Sequence, residues 1–130
     1  MLRVEIDGRV YELRPWSPAD GEPMAFRLLR IAVGVGGEQG NVEGILARVT
    51  DKDFTDLRDL VIRYTDIVER DSVTGEELVV PLQRQREALA GRYQDLLALC
   101  LGHLRHEFGP FFSSLPTVLG GGVRKTAAGT

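Results

Sequence analysis

Cysteine, lysine and histidine are scarce in this chain of 130 residues. Cys100 is its only cysteine, which excludes an intrachain disulfide and a cluster of thiolate metal ligands. Histidine occurs only at positions 103 and 106, so a histidine base would have to act from one short segment. Because no Ser-His-acid or Cys-His set can be chosen from so few residues, the sequence predicts a protein that is not an enzyme.

The chain also lacks a long apolar run and a strong excess of charge of either sign. The N-terminus, MLRVEIDGRVYEL, alternates apolar and polar residues, unlike a signal peptide or a membrane span. The net charge of −3 gives no long-range attraction to nucleic acid or to anionic lipid. We therefore expect a cytosolic protein that binds neither nucleic acid nor membrane.

The length corresponds to one domain with a single modest core. Apolar residues make up 43% of the chain and charged residues 27%, which is ordinary for a globular protein. The last segment, SSLPTVLGGGVRKTAAGT, is rich in glycine and only weakly apolar. We expect one globular domain over residues 1–112 and a flexible glycine-rich tail over residues 113–130.

Two hairpins are predicted from alternating segments. Residues 2–6 and 9–13 flank Asp7-Gly8, and an Asp-Gly pair between alternating runs is the strongest short hairpin signal. Residues 66–69 and 77–80 flank a polar loop and predict a second small hairpin. For this second segment the alternative is a preceding helix that runs on to Arg70.

Helix start signals mark three helices in the first half of the chain. Ser17 followed by Pro18 predicts the start of the first helix. A glycine-rich loop at 34–41 and a short helix at 42–48 follow. Thr50 is the predicted N-cap of a third helix.

The last long helix is predicted to begin at Pro81 and to end at Gly109-Pro110, since this pair stops helices. Its predicted buried stripe consists of Ala88, Leu89, Tyr93, Leu96, Leu97, Cys100, Leu104 and Phe108. On this basis we expect Leu97→Ala to cost about 2–5 kcal/mol. The fold class predicted from all these elements is α+β and predominantly helical, with an N-terminal β-hairpin, three to four helices and a second small hairpin.

Four segments have some residues of a ligand site but not its full pattern. His103 and His106 are three apart, a spacing that can place two imidazoles on one metal, but the other ligands are missing. We expect them to be two exposed histidines near a helix C-terminus.

Residues 51–56 lack the glycine and the distant glutamate of a calcium loop. The glycine-rich segment 34–37 is followed by Glu38, which has the wrong charge for a phosphate, and segment 120–126 has Arg124 where a Walker loop needs glycine before lysine. We expect no metal and no cofactor.

Phenylalanine is concentrated in the segment HEFGPFF, at Phe108, Phe111 and Phe112. These rings could fold back and close the core, or they could leave apolar surface exposed, which marks partner sites. A glycine-rich tail that becomes ordered on binding fits the second possibility. Both hold together if the rings anchor the segment and the tail reaches the partner. The candidate partner-binding residues are Phe108, Phe111, Phe112, Leu115, Val118 and Leu119.

The order of these features resembles the small tail assembly chaperones of long-tailed bacteriophages and prophages. The segments that carry the resemblance are 11–15 (YELRP), 53–57 (DFTDL) and 107–112 (EFGPFF). Members of that family often end their main helix in an Asn-Phe-Gly-Asp-Phe-Phe pattern. Here Glu107 takes the place of the asparagine and Pro110 that of the aspartate. The resemblance covers roughly residues 2–115 of the chain.

The resemblance implies a non-enzymatic protein of the bacterial host cytosol. It would bind the tape measure protein, keep it soluble and help to recruit tail tube subunits. Phe108, Phe111 and Phe112 occupy positions of the family's motif, and their contact with the client is our own inference. We expect Phe111→Ser or Phe112→Ser to reduce client binding more than folding stability.

Two other classes of protein stay open at this point. One is a phage or prophage structural protein that is retained in the particle, such as a tail completion, neck or baseplate component. The other is a small enzyme or metal protein centred on His103 and His106. The sequence leaves the oligomeric state open, and a homo-oligomer is compatible with it.

Overall fold

The structure is a computed structural model that describes residues 1–35 and 42–116, with side chains over 1–31 and 42–109. Four strands form one antiparallel sheet in the order β1-β2-β3-β4. The strands are β1 (Leu2–Ile6), β2 (Arg9–Leu13), β3 (Thr65–Arg70) and β4 (Glu77–Pro81). Both predicted hairpins are therefore present, β1–β2 and β3–β4.

Four α-helices complete the described fold. They are α1 (Pro18–Val35), α2 (Val42–Leu46), α3 (Asp51–Arg63) and α4 (Tyr93–Pro116). The first three lie between β2 and β3 in the chain, and two 3₁₀ turns, Leu82–Arg84 and Arg86–Leu89, connect β4 to α4. The predicted α+β, mostly helical fold with an N-terminal hairpin is confirmed.

Local sequence signals explain the first hairpin and the starts of two helices. Asp7 and Gly8 have φ values of 53° and 82°, as a two-residue hairpin turn requires. The hydroxyl of Thr50 accepts a hydrogen bond from the backbone N–H of Asp53 (3.1 Å) and caps α3. Helix α1 begins directly after Ser17, as predicted.

The last helix begins at Tyr93 rather than at Pro81. Pro81 is the final residue of the edge strand β4, opposite Asp66, and a strand edge tolerates a missing N–H. Gly91 has a φ of +73°, a conformation that interrupts a right-handed helix. The segment between these two residues therefore forms 3₁₀ turns and a tight turn instead of the predicted helix.

The buried face of α4 also differs from the predicted stripe. Leu99, Cys100 and Leu104 are fully buried, whereas Tyr93 and Leu97 are 75% and 47% exposed. The prediction was wrong at Tyr93 and Leu97, because the buried face of α4 is centred on Leu99 and His103 and these two residues lie away from it. The predicted burial of Cys100 is confirmed.

The predicted helix end at Gly109-Pro110 is wrong, since α4 continues to Pro116. A proline inside a helix costs about 3 kcal/mol, and α1 likewise contains Pro23. In the turn before the proline, Glu107 accepts a hydrogen bond from the backbone N–H of Trp16 and Phe108 packs against the core, so tertiary contacts hold this part of α4. The predicted start of the tail, residue 113, falls inside this helix, and residues 36–41 and 117–130 lie outside the described residues.

The hydrophobic core is one cluster to which β2, β3 and all four helices contribute. Its fully buried side chains include Tyr11, Leu13, Leu28, Ile45, Leu57, Val61, Leu99 and Leu104. Gly102 allows α4 to approach β2 closely, because a Cβ atom there would lie 3.1 Å from Cδ2 of Leu13. This close approach determines how the C-terminal half of α4 lies against the rest of the fold.

Candidate partner-binding surface

Trp16 ties the connector between β2 and α1 to the C-terminal half of α4. Its backbone N–H donates to Oε1 of Glu107 (2.8 Å), and its indole N–H donates to Nδ1 of His103 (3.1 Å). His103 and Glu107 are four residues apart, so both acceptors lie on one side of α4. Together these bonds position the helical turn that carries Phe108.

His103 is fully buried, so the prediction of two exposed histidines is wrong for this residue. Its Nε2 atom lies 2.8 Å from Oγ1 of Thr65, whose hydroxyl donates to the Val61 carbonyl (2.6 Å). Because Nδ1 accepts from Trp16, Nε2 carries the ring proton and donates to Thr65. Burial lowers the pKa of His103 to about 4, with smaller contributions from nearby His106 and Arg14.

The hydrogen bonds of His103 bear on the alternative that His103 and His106 form a metal site. Both ring nitrogens of His103 are occupied by partners inside the protein, which leaves neither of them for a metal ion. His106 is exposed. Within residues 1–35 and 42–116, no three histidine, cysteine, aspartate or glutamate side chains gather as a metal site would require. His103 is a structural residue whose neutral ring joins three parts of the chain.

Phe108 packs partly buried against the core. Its ring meets the Trp16 ring edge-on, with centroids 5.4 Å apart and planes at 75°, a geometry that aromatic pairs prefer. The expectation that a phenylalanine of this segment closes over the core therefore holds for Phe108. Since its ring is only partly covered, it also borders the surface.

A largely apolar groove of about 490 Å³ lies between α1 and α4. The residues that line it are Glu22, Ala25, Phe26, Leu29 and Phe108. Phe26 is 64% exposed, which is high for a phenylalanine. It stands about 200° around the helix from the buried Met24, because each residue turns an α-helix by about 100°. We call this concavity the α1–α4 groove.

Phe26 was missed by sequence reasoning, which considered as partner-binding only the phenylalanines of the HEFGPFF segment and the apolar residues after them. The available signal was an aromatic residue two positions from Met24, on the opposite side of α1 from the buried face. Such a residue cannot reach the core that the buried face contacts, so it contacts a neighbouring element or stays at the surface. The structure shows that it forms one wall of the α1–α4 groove.

The other predicted partner-binding residues are placed only in part. Phe111, Phe112 and Leu115 belong to α4, and spacings of three, four and seven residues put these positions on the same side of the helix as Phe108. Their side chains lie outside the described residues, as do Val118 and Leu119 altogether. Of the six candidates, the structure brings Phe108 into the groove.

A second concavity, of about 710 Å³, opens near the Asp7-Gly8 turn where the pairing of β2 with β3 ends. The arginines that line it are Arg3, Arg9, Arg70 and Arg92. All four already contact acceptors of the protein: Arg9 donates to the Ala88 carbonyl (2.8 Å), Arg92 to Asp95 (2.8 Å), and Arg3 and Arg70 to Glu77. Carboxylates pair with Arg3, Arg70 and Arg92, and a backbone carbonyl accepts from Arg9, which favours a structural role for this cleft.

Across the described ranges, no helix has both the length and the apolar character needed to cross a lipid bilayer. Comparison with protein-family models, with curated proteins and with solved structures finds no match to this chain. A functional proposal must therefore rest on the chain's own residues and their geometry.

Proposed function

We propose that this protein is a non-enzymatic phage tail assembly chaperone that acts in the host cytosol. It binds the tape measure protein and helps to recruit tail tube subunits. The observation that supports this most is the α1–α4 groove, an apolar concavity with an exposed phenylalanine on one wall. The groove borders the segment 107–112, through which the sequence resembles that family.

The chemistry of the groove suits a helical client with an apolar stripe. Amphipathic helices bind by laying their apolar face into a hydrophobic groove, with anchors spaced by three, four and seven residues. The rings of Phe26 and Phe108 can pack against such anchors, and the small side chain of Ala25 leaves space in the groove. Among the described residues that line the groove, Glu22 is the charged one, and it would meet a basic residue beside the client's stripe.

Reversible binding is also consistent with the size of this surface. A chaperone must release its client before assembly is complete, so its contact area has to be modest. A groove of about 490 Å³ accommodates a few side chains rather than a whole helix. Small interfaces belong to the weak and transient class.

Cys100 and His103, two residues of types that often act in catalysis, are withdrawn from the surface. Burial raises the pKa of the Cys100 thiol to about 12, so it is not a ready nucleophile. Burial lowers the pKa of His103, and the ring is held between Trp16 and Thr65. These features support a binding function over an enzymatic one.

The proposal is tested by co-expression with the tape measure protein encoded in the same genome. The wild-type chain should raise the soluble yield of the client and should be recovered with it. Phe26→Ser should lower the recovered client about tenfold, as expected for the loss of an apolar anchor worth roughly 1.4 kcal/mol. Tyr93→Ser is the matched control, because Tyr93 is an even more exposed aromatic residue, at the start of α4, and does not line the groove.

Unchanged client recovery with Phe26→Ser, or an equal loss with Tyr93→Ser, would contradict the proposal. The same assay applies to Phe111→Ser and Phe112→Ser, with thermal melts recorded beside it. Mass spectrometry of purified particles distinguishes a chaperone from the alternative, a structural protein that is retained in the particle. A chaperone is absent from the finished particle, whereas a retained structural protein is present at a fixed number of copies.

A further inference from the structure

The two edge strands of the sheet differ in how well they are protected against pairing with a further strand. Strand β4 ends in Pro81, and a proline on an edge strand hinders pairing with another strand. Strand β1 has the sequence LRVEI, without proline or lysine. Within the described residues no strand pairs with its outer side. Strand β1 therefore presents an edge that is open to further pairing.

The backbone groups on that open edge can be identified from the hairpin. The two-residue turn places Ile6 opposite Arg9 as the closing, hydrogen-bonded pair. Antiparallel ladders alternate, so Ile6, Val4 and Leu2 direct their N–H and C=O groups towards β2. Arg3 and Glu5 direct theirs away from the sheet, where they can bond to another strand.

The sequence of β1 is complementary to itself in one register. If a second copy of β1 runs antiparallel and is centred on Val4, Leu2 lies opposite Ile6 and Arg3 lies opposite Glu5. Opposite charges that face each other across strands stabilise the pair, and like charges destabilise it. The same register pairs Arg3 with Glu5, the two residues whose backbone groups point outwards.

The side chains support the same pairing. Glu5 is exposed and forms no ion pair within the described part of the chain. Arg3 is held by Glu12 (3.2 Å) and Glu77 (3.0 Å) on the sheet face opposite the core, the face to which Glu5 also belongs. A second copy would bring its Glu5 to the Arg3 of the first copy and would provide the missing partner.

We propose that β1 is a homodimerisation edge that pairs with β1 of a second copy. A twofold axis passes beside Val4, and the two sheets join into one continuous sheet. Four backbone hydrogen bonds form, between Arg3 of each copy and Glu5 of the other. Five residues per copy make a small interface, so the dimer is weak and depends on concentration. This inference is independent of the proposed chaperone function.

The other edge does not offer such a match. Antiparallel pairing of β4 with itself, centred on Val79, would place Pro81 opposite Glu77. Pro81 has no N–H to donate, and the register contains no pair of opposite charges. The exposed Leu78 and Val79 therefore make β4 a useful control surface rather than a second candidate.

The first test uses charge exchange and analytical ultracentrifugation of the full chain. Wild type should show a monomer–dimer equilibrium at concentrations up to about 0.5 mM, in the range of weak interfaces. Glu5→Arg should weaken dimerisation at least tenfold, because Arg3 and the new arginine then face each other. Arg3→Glu should do the same with two carboxylates, and an equimolar mixture of the two variants should recover a heterodimer. Glu76→Arg, in the β3–β4 loop, is the control of equal charge change.

A purely monomeric wild type over this range would overturn the proposal. So would a Glu5→Arg variant that dimerises as wild type does. Arg3→Glu also loses intramolecular ion pairs, so its fold must be checked by circular dichroism. If that variant does not fold, cross-linking gives an independent answer.

The cross-linking test places one cysteine on the proposed axis. The two Val4 residues form a non-hydrogen-bonded pair with Cα atoms about 4.5 Å apart, within the range of a disulfide. Val4→Cys should give a covalent dimer on mild oxidation, while Cys100 is fully buried and does not compete. Val79→Cys, at a more exposed position on β4, should stay largely monomeric. Equal cross-linking of both variants would indicate random collision and would refute the pairing.

Discussion

The indole N–H of Trp16 donates to Nδ1 of His103 across 3.1 Å, and the centroids of the two rings are 5.9 Å apart. From the other ring nitrogen the hydrogen bonds continue to Thr65 and then to the Val61 carbonyl. This chain of bonds joins the β2–α1 connector, α4, β3 and α3. The imidazole accepts at Nδ1 and donates at Nε2, and the Thr65 hydroxyl accepts from it and donates to Val61, so the whole arrangement requires a neutral imidazole.

Acidification should therefore destabilise the fold through His103. Its pKa is lowered to about 4 in the folded protein, below the usual 6.5 of the unfolded chain. Between these values the unfolded state binds a proton that the folded state does not. The free energy of unfolding should fall by about 3 kcal/mol in total as the pH decreases from about 6.5 to 4.

Urea unfolding at a series of pH values measures this slope. His103→Gln should remove the histidine contribution, although it also lowers the stability at neutral pH. His106→Gln is the matched control: it removes an exposed imidazole and keeps the buried His103, so most of the wild-type slope should remain. Two variants with the same pH dependence would show that His103 is not the responsible group.

Leu99→Ala should cost about 2–5 kcal/mol of unfolding free energy, because Leu99 is fully buried and its truncation leaves a cavity. Leu97→Ala should cost less than about 1 kcal/mol, because Leu97 is 47% exposed. The two residues lie on the same helix and undergo the same chemical change. Denaturant unfolding of both variants compares them, and a larger loss for Leu97 would contradict the burial described here.

Glu107→Ala should destabilise the protein by about 1–3 kcal/mol, since the buried N–H of Trp16 then loses its acceptor. Glu107→Gln keeps a carbonyl oxygen at the same place and should cost clearly less. Thermal or urea unfolding of both variants provides the measurement. Equal losses would mean that the negative charge of Glu107, rather than its hydrogen bond, stabilises the fold.

Tyr11→Phe should cost about 1.5–3 kcal/mol, because the Tyr11 hydroxyl donates to the buried carboxylate of Asp95 (2.7 Å). Burial and this hydrogen bond raise the pKa of Tyr11 above its usual value. A double-mutant cycle with Asp95→Asn should give a coupling energy of about 1 kcal/mol. Strictly additive losses would show that the two side chains do not interact energetically.

The parts of the fold that sequence reasoning predicted correctly depend on short-range contacts. The Asp7-Gly8 turn and the Thr50 cap each involve residues at most three positions apart. Such bonds form in the local segment whatever surrounds it. The start of α4 was missed because the segment after Pro81 adopts 3₁₀ turns, whose period differs from that of the predicted helix.

In the candidate site, too, the contacts between residues far apart in the chain were not predicted from the sequence. Phe108 was identified because it belongs to a visible aromatic cluster, but its neighbour across the groove, Phe26, lies on another helix. His103 was assigned to the surface because its partner Trp16 is 87 residues away in the chain. Asp95 is acidic, yet it is buried against Tyr11. No periodicity within one helix carries information about such distant partners.

By itself, the sequence determined the α+β class, the first hairpin and the starts of α1 and α3, because turns and caps are satisfied within a few residues. It also determined the self-complementary order of charges in β1. Only the tertiary structure decided which face of α4 is buried, that the helix passes through Gly109-Pro110, and that Phe26 and Phe108 share one groove. These outcomes depend on packing between distant segments, whose free energy exceeds the local preference of any single residue.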